Sequence, residues 1–163
     1  MNAQLQPAAG GETLSVESFI ASHPLFAGLK PRQLSALNEN AMRMSYKAGE
    51  IIFSEGDPAN RFYLIQSGKV AIESSGSELA PPMLIEAVGP GDLLGWSWLF
   101  PPYYCHFDAR AIEPTTAIFF YGTRLRQLCD DDSEFGYELM KRIACVVIRR
   151  LQAARRKLLP SKP

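Results

Sequence analysis

The chain has no excess of either charge: 17 lysines and arginines stand against 17 aspartates and glutamates. A balance of zero gives no long-range pull on nucleic acid or on an anionic membrane, so any such binding has to come from a local patch. Cysteine is scarce. Cys105, Cys129 and Cys145 form no close-spaced pair and leave one over, which fits free thiols in a reducing cytoplasm better than a disulfide framework. Histidine is scarcer still, with only His23 and His106. A three- or four-ligand metal site is hard to assemble from so few donors, so no metal is expected. There is no Gly-x-Ser-x-Gly elbow and no P-loop, and catalysis is not expected. No long apolar run and no basic start occurs at the N-terminus, which argues against a membrane span and a secretory signal. Residues 1–14 read as a disordered leader on composition.

What is present is a hydrophobic share of 47% in 163 residues, enough for one sizeable core and little more. Ser15 can cap a short helix from Val16 to about Ala21, which His23-Pro24 should stop. Pro31 opens a second helix to Asn38, with Leu34 and Leu37 on one face. Short β-prone runs follow: Met42 to Tyr46, Ile51 to Phe53, Phe62 to Ile65, Val70 to Glu73, Met83 to Val88, Ala109 to Glu113 and Thr116 to Tyr121. Seven or eight strands at this spacing predict a closed or double-sheet antiparallel roll. Thr123 to Cys129 reads as one or two helical turns. The acidic run Asp130-Asp131-Asp132 then places negative charge where the N-terminus of a long helix, Ser133 to Leu158, favours it.

Glycine or Gly-Asp punctuates these runs: Lys47-Ala48-Gly49-Glu50, Glu55-Gly56-Asp57, Ser67-Gly68-Lys69 and Gly91-Asp92-Leu93-Leu94-Gly95. This ordered series, over roughly Pro24 to Leu158, resembles the cyclic nucleotide-binding domain of the catabolite activator (Crp/Fnr-like) family. The resemblance implies a mainly β fold with flanking helices, an antiparallel double-sheet jelly roll over residues 15–130, and a long C-terminal dimer helix over 131–159, with a tail at 160–163. It also implies a DNA-reading helix-turn-helix after that helix. Here the sequence ends at Leu159-Pro160-Ser161-Lys162-Pro163, so a stand-alone module without direct sequence-specific DNA binding is expected.

In that family the turn after the Gly-Asp holds a cyclic phosphate on backbone N–H groups. A Glu binds the ribose hydroxyl, and an Arg about nine residues later pairs with the phosphate. Setting the family's Gly-Glu on Gly95-Trp96 puts Trp96 at the Glu position, and counting back from Ala109-Arg110-Ala111 puts Cys105 at the Arg position. Neither can do the same chemistry. Losing a guanidinium fork and the ribose hydrogen bonds, at about 1.5–3 kcal/mol each, predicts about 10²- to 10⁴-fold weaker binding. Cyclic AMP is therefore not expected to bind in the usual way.

An aromatic cluster stands in place of the charges: Trp96, Trp98, Phe100, Tyr103, Tyr104, His106 and Phe107. It can wall a pocket for a planar or apolar ligand, or it can collapse inward and fill the former cavity. The candidate ligand-binding residues are Gly95, Trp96, Ser97, Trp98, Cys105, His106 and Arg110, with Arg110 of uncertain direction on its strand. Neighbouring strand residues point to opposite faces, so Cys105-His106 does not make a haem or metal site and no such cofactor is expected. A cyclic nucleotide or another small ligand stays open, as does redox chemistry at a thiol beside an imidazole.

The long helix carries two apolar stripes. Phe135, Leu139, Ile143 and Val146 make one that can cover the roll. Tyr137, Met140, Ala144, Val147, Leu151, Ala154 and Leu158 make a second, in alternating steps of three and four that match a coiled-coil seam. A second copy of the chain is the simplest cover for that face, predicting a homodimer. The cations Arg149, Arg150, Arg155, Arg156 and Lys157, with no acid after Glu138, either complement the helix dipole or offer a docking surface to an acidic partner.

Overall fold

The computed structural model describes residues 13–159. Of the leader assigned to 1–14, only residues 13 and 14 fall inside that range, and the tail at 160–163 lies outside it. Helix α1 (Val16–Ser22) starts where Ser15 Oγ accepts the N–H of Ser18 at 3.1 Å. Its successor α2 (Pro31–Glu39) follows a single helical turn, Pro24–Phe26. Eight strands come next: β1 (Ala41–Tyr46), β2 (Ile51–Phe53), β3 (Arg61–Ser67), β4 (Val70–Ser74), β5 (Met83–Val88), β6 (Leu93–Leu94), β7 (Asp108–Ala111) and β8 (Thr115–Tyr121). They pair antiparallel in two sheets of four, ordered β1-β8-β3-β6 and β2-β7-β4-β5, which is a double-sheet jelly roll. Helices α3 (Gly122–Asp131) and α4 (Ser133–Leu158) close the chain of elements.

The central strands of the first sheet explain how helices and roll share one body. Phe62 and Leu64 of β3, with Ile118 and Phe120 of β8, are buried against Ile20, Phe26 and Leu37 of the N-terminal helices and Leu139 and Ile143 of α4. Their alternating neighbours Tyr63, Ile65, Ala117 and Phe119 face the other way, into the roll, against Val70, Ile72 and Ala109 of the second sheet. Successive strand residues point to opposite faces, so a strand covered on both sides must be apolar at every position. The runs Phe62-Tyr63-Leu64-Ile65 and Ala117-Ile118-Phe119-Phe120 are just that.

Asp132 connects the helical layer. Its Oδ1 accepts the N–H of Phe135 at 3.1 Å and so caps α4, while its Oδ2 accepts from Gln33 Nε2 of α2 at 3.0 Å. The Gln33 amide first, and the Phe135 N–H second, hold this carboxyl below the usual aspartate range. From that cap α4 runs for 26 residues, about 39 Å. Phe135, Leu139 and Ile143 are buried along it, and Val146 packs partly against the same core. Tyr137, Met140, Leu151 and Leu158 are exposed, as are Ala144 and Ala154. Val147 departs from the expected stripe: it is half-buried against the core, and Ile148 stands on the outer face at 53% exposure. A straight helix drifts by about 20° per heptad against a strict repeat of seven, so a seam drawn by alternating threes and fours slides toward the roll within two heptads.

Candidate functional site

The turn between β6 and β7 lies where the sequence singled out Gly95 to Trp98. Gly95 holds a φ of +81°, in the left-handed region that favours glycine, and this bends the chain out of β6. Trp96 and Ser97 then lead into one helical turn, Ser97–Leu99. Behind them the segment around Tyr104 is laced to the turn after β2: Cys105 N–H donates to Asp57 O at 2.9 Å, and Gly56 N–H donates to Cys105 O at 2.8 Å. These bonds bring Gly95, Trp96, Ser97, Cys105 and His106 round one cavity, together with Phe53, Ile72 and Phe107.

The cavity is small, about 30 Å³. At roughly 10–15 Å³ per water it has room for about two waters, whereas a ligand pocket runs to about 300–1,000 Å³. Trp96, Phe53 and Phe107 take the space, and the thiol of Cys105 is the group at the expected guanidinium position. Burial first, and the negative charge of Asp57 second, push that thiol up to about 11. That shift favours the thiol over the thiolate that redox chemistry would use. His106 lies at the exposed rim, while His23 hydrogen-bonds to Gly91 O at 2.8 Å, on another side of the roll. No group of three or more potential metal ligands occurs among the described residues.

Two candidates are not brought to the cavity. Trp98 is fully buried in the helix-side core, its ring 5.6 Å from that of Phe62. It packs there because Gly122 leaves it room: a Cβ on Gly122 would stand 2.8 Å from Trp98 Cβ. Arg110 sits between the inward Ala109 and Ala111 and so faces out of the roll, where its Nη2 meets Glu73 Oε1 at 2.5 Å. Strand alternation, which left its direction open in the sequence, takes it away from the ligand turn.

Two cations near the site were not among the ligand-binding candidates drawn from the sequence. Arg61 begins β3 on the same face as Tyr63 and Ile65, lines the cavity, and stacks its guanidinium 4.4 Å from the centre of the Phe119 ring. Period-two alternation of Arg61, Tyr63 and Ile65 would have found it. Arg150 reaches from α4 to lie 5.3 Å from the centre of the Trp96 ring. It donates to Leu93 O through Nη2 and places Nε 3.6 Å from Glu86 Oε2.

The sequence pattern of the cyclic nucleotide-binding domain family matches residues 43–132, more than half of the chain. The chain belongs to that family. It is 28% identical, over 84% of its length, to a CRP-like cAMP-activated global transcriptional regulator of Mycobacterium tuberculosis. It is 34% identical, over 56% of its length, to the Cyclic AMP receptor protein of Thermus thermophilus. The chain spans 59% of the first relative's length and 42% of the second's. A solved structure from Geobacter metallireducens GS-15 superposes with a TM-score of 0.76 at 28% identity, covering 85% of this chain and 99% of that one. Among the described residues no helix is long and apolar enough to cross a membrane.

Proposed function

We propose that this chain is a ligand-sensing regulatory module of the cyclic nucleotide-binding family whose ligand site does not take cyclic AMP in the usual way, and that it works as a cytoplasmic homodimer through α4. The observation that carries the reading is the cavity of about 30 Å³ behind Gly95, Trp96 and Ser97. Rings and the Cys105 thiol line it, its one arginine, Arg61, is stacked on Phe119, and Arg110 is committed to Glu73 on the far side of its strand. Regulation, not catalysis, is the role that the transcriptional regulators among its relatives support.

Calorimetric titration with cyclic AMP and cyclic GMP tests this directly. No saturable binding is expected for either, and a micromolar dissociation constant for cyclic AMP would overturn the reading of Trp96 and Cys105.

The same small cavity favours a second reading, a ligand-free domain whose roll only presents α4 to a partner protein. The exposed basic end of that helix, Arg155 and Arg156, then offers the contact. A thermal-shift panel of cyclic nucleotides, small anions and aromatic metabolites separates the two. A sensor is raised in melting temperature by its ligand through mass action on the folded state, whereas a scaffold shifts with none.

A further inference from the structure

Strand β1 is the outermost strand of its sheet and pairs with β8 on one side only. In an antiparallel pair every second residue turns its N–H and C=O away from the partner, so about half of the six residues of β1 present these groups at the free edge. No backbone partner for them occurs among the described residues. Proteins blunt such edges with bulges, prolines, lysines or very short strands, or they cover them. The three other terminal strands are blunted: β2 is three residues long, β6 is two, and the ladder of β5 with β4 carries a register shift. β1 keeps its register through Ala41–Tyr46 with no shift, no proline and no lysine. Its one charged residue, Arg43, is engaged by Gln66 Oε1 at 3.0 Å and by the carbonyl of Leu14.

The roll-side face of this edge is apolar. Met42 pairs with Phe119 and Met44 with Ala117, both of which point into the roll, so the two methionines share that face. They stand 51% and 37% exposed. The hydroxyls of Tyr121 and Tyr46 donate to their sulfurs, each at 3.6 Å, so rings and thioethers together form a surface that suits further apolar side chains.

The chain itself supplies a cover. Residues 1–12 precede the described range and join it beside Leu14, whose carbonyl is held by Arg43 of β1 and, at 3.0 Å, by Gln66 Nε2. At about 3.3 Å per residue they reach about 40 Å, twice the roughly 20 Å of a six-residue strand. Composition reads this leader as disordered, but its start, Met1-Asn2-Ala3-Gln4-Leu5-Gln6, alternates apolar and polar residues at the period of a strand and carries no charged side chain. Pro7, which cannot donate to a ladder, ends the run, and Gly10-Gly11 lets the chain turn back.

We propose that residues 1–6 add to β1 as a fifth strand of its sheet, with Met1, Ala3 and Leu5 on the face of Met42 and Met44 and residues 7–12 as the connection. The leader is then an intramolecular cover that keeps the free edge from pairing with another chain. This cover does not depend on which ligand the roll takes.

The test is amide hydrogen exchange of the full chain, followed residue by residue by NMR at two protein concentrations. In the wild type the outward-facing amides of β1 are expected to be protected at both. Leu5→Pro removes a ladder donor within the leader and leaves the roll untouched, and is expected to make those amides exchange at least about tenfold faster while the amides bonded to β8 keep their rate. Leu5→Val, a strand former, is expected to retain the protection. The wild-type measurement needs no variant to fold. Outward amides that exchange in the wild type at the rate of an unstructured chain, or protection unchanged in Leu5→Pro, would each overturn the proposal. So would protection that rises with protein concentration, which would make a second copy the cover.

Discussion

Leu151 offers the sharpest handle on assembly, because it is 68% exposed in the middle of the outer face of α4. Burying a leucine side chain completely is worth about 1.5–3 kcal/mol, so the part still in water can contribute roughly 1–2 kcal/mol. A two-fold interface counts it twice, giving about 2–4 kcal/mol. Leu151→Glu removes that contribution and sets two carboxylates near the axis, so the dimer dissociation constant should rise by about 30- to 700-fold or more. Glutamate and leucine have similar helix propensities, and the position is open in the single chain, so the fold should be unaffected. Sedimentation velocity over a concentration series, with far-UV circular dichroism as a control, reads both quantities. A wild-type protein that stays monomeric at its highest soluble concentration would refute the reasoning. So would a variant that dimerises as tightly as the wild type, since the neighbouring Tyr137, Ile148 and Leu158 would then have to pack elsewhere.

Two further outcomes follow from single contacts. Gly122→Ala should destabilise the fold by about 1–3 kcal/mol, roughly 2–12 °C in melting temperature, because its Cβ would stand 2.8 Å from Trp98 Cβ and 3.3 Å from the Asn60 carbonyl carbon; an unchanged melting temperature would contradict this packing. His23 should make stability depend on pH. Its Nδ1 accepts the Leu25 N–H at 3.1 Å while Nε2 bonds Gly91 O, a pattern that only the neutral ring satisfies, and burial lowers its pKa from 6.5. A base whose folded value is depressed contributes stability that is complete above the unfolded value and is lost as pH falls below it. Chemical denaturation of the wild type and His23→Gln should therefore converge as pH falls below 6.5, and a constant gap across the range would refute the assignment.

Much of the roll was legible because its signals are local. Gly-marked turns and alternating or continuous apolar runs are written within a few residues, and the strand and helix bounds fell within a few residues of those expected. What escaped depends on distant partners. β6 is two residues long, Leu93–Leu94, and exists as a strand only because Leu64 and Tyr63 lie beside it. Trp98 reads like its neighbour Trp96, and only the space left by Gly122 draws it into the core. Arg150 sits in a run of cations that resembles a solvated helix end, yet its carbonyl partner Leu93 is 57 residues earlier in the chain. No window of sequence brings those two together.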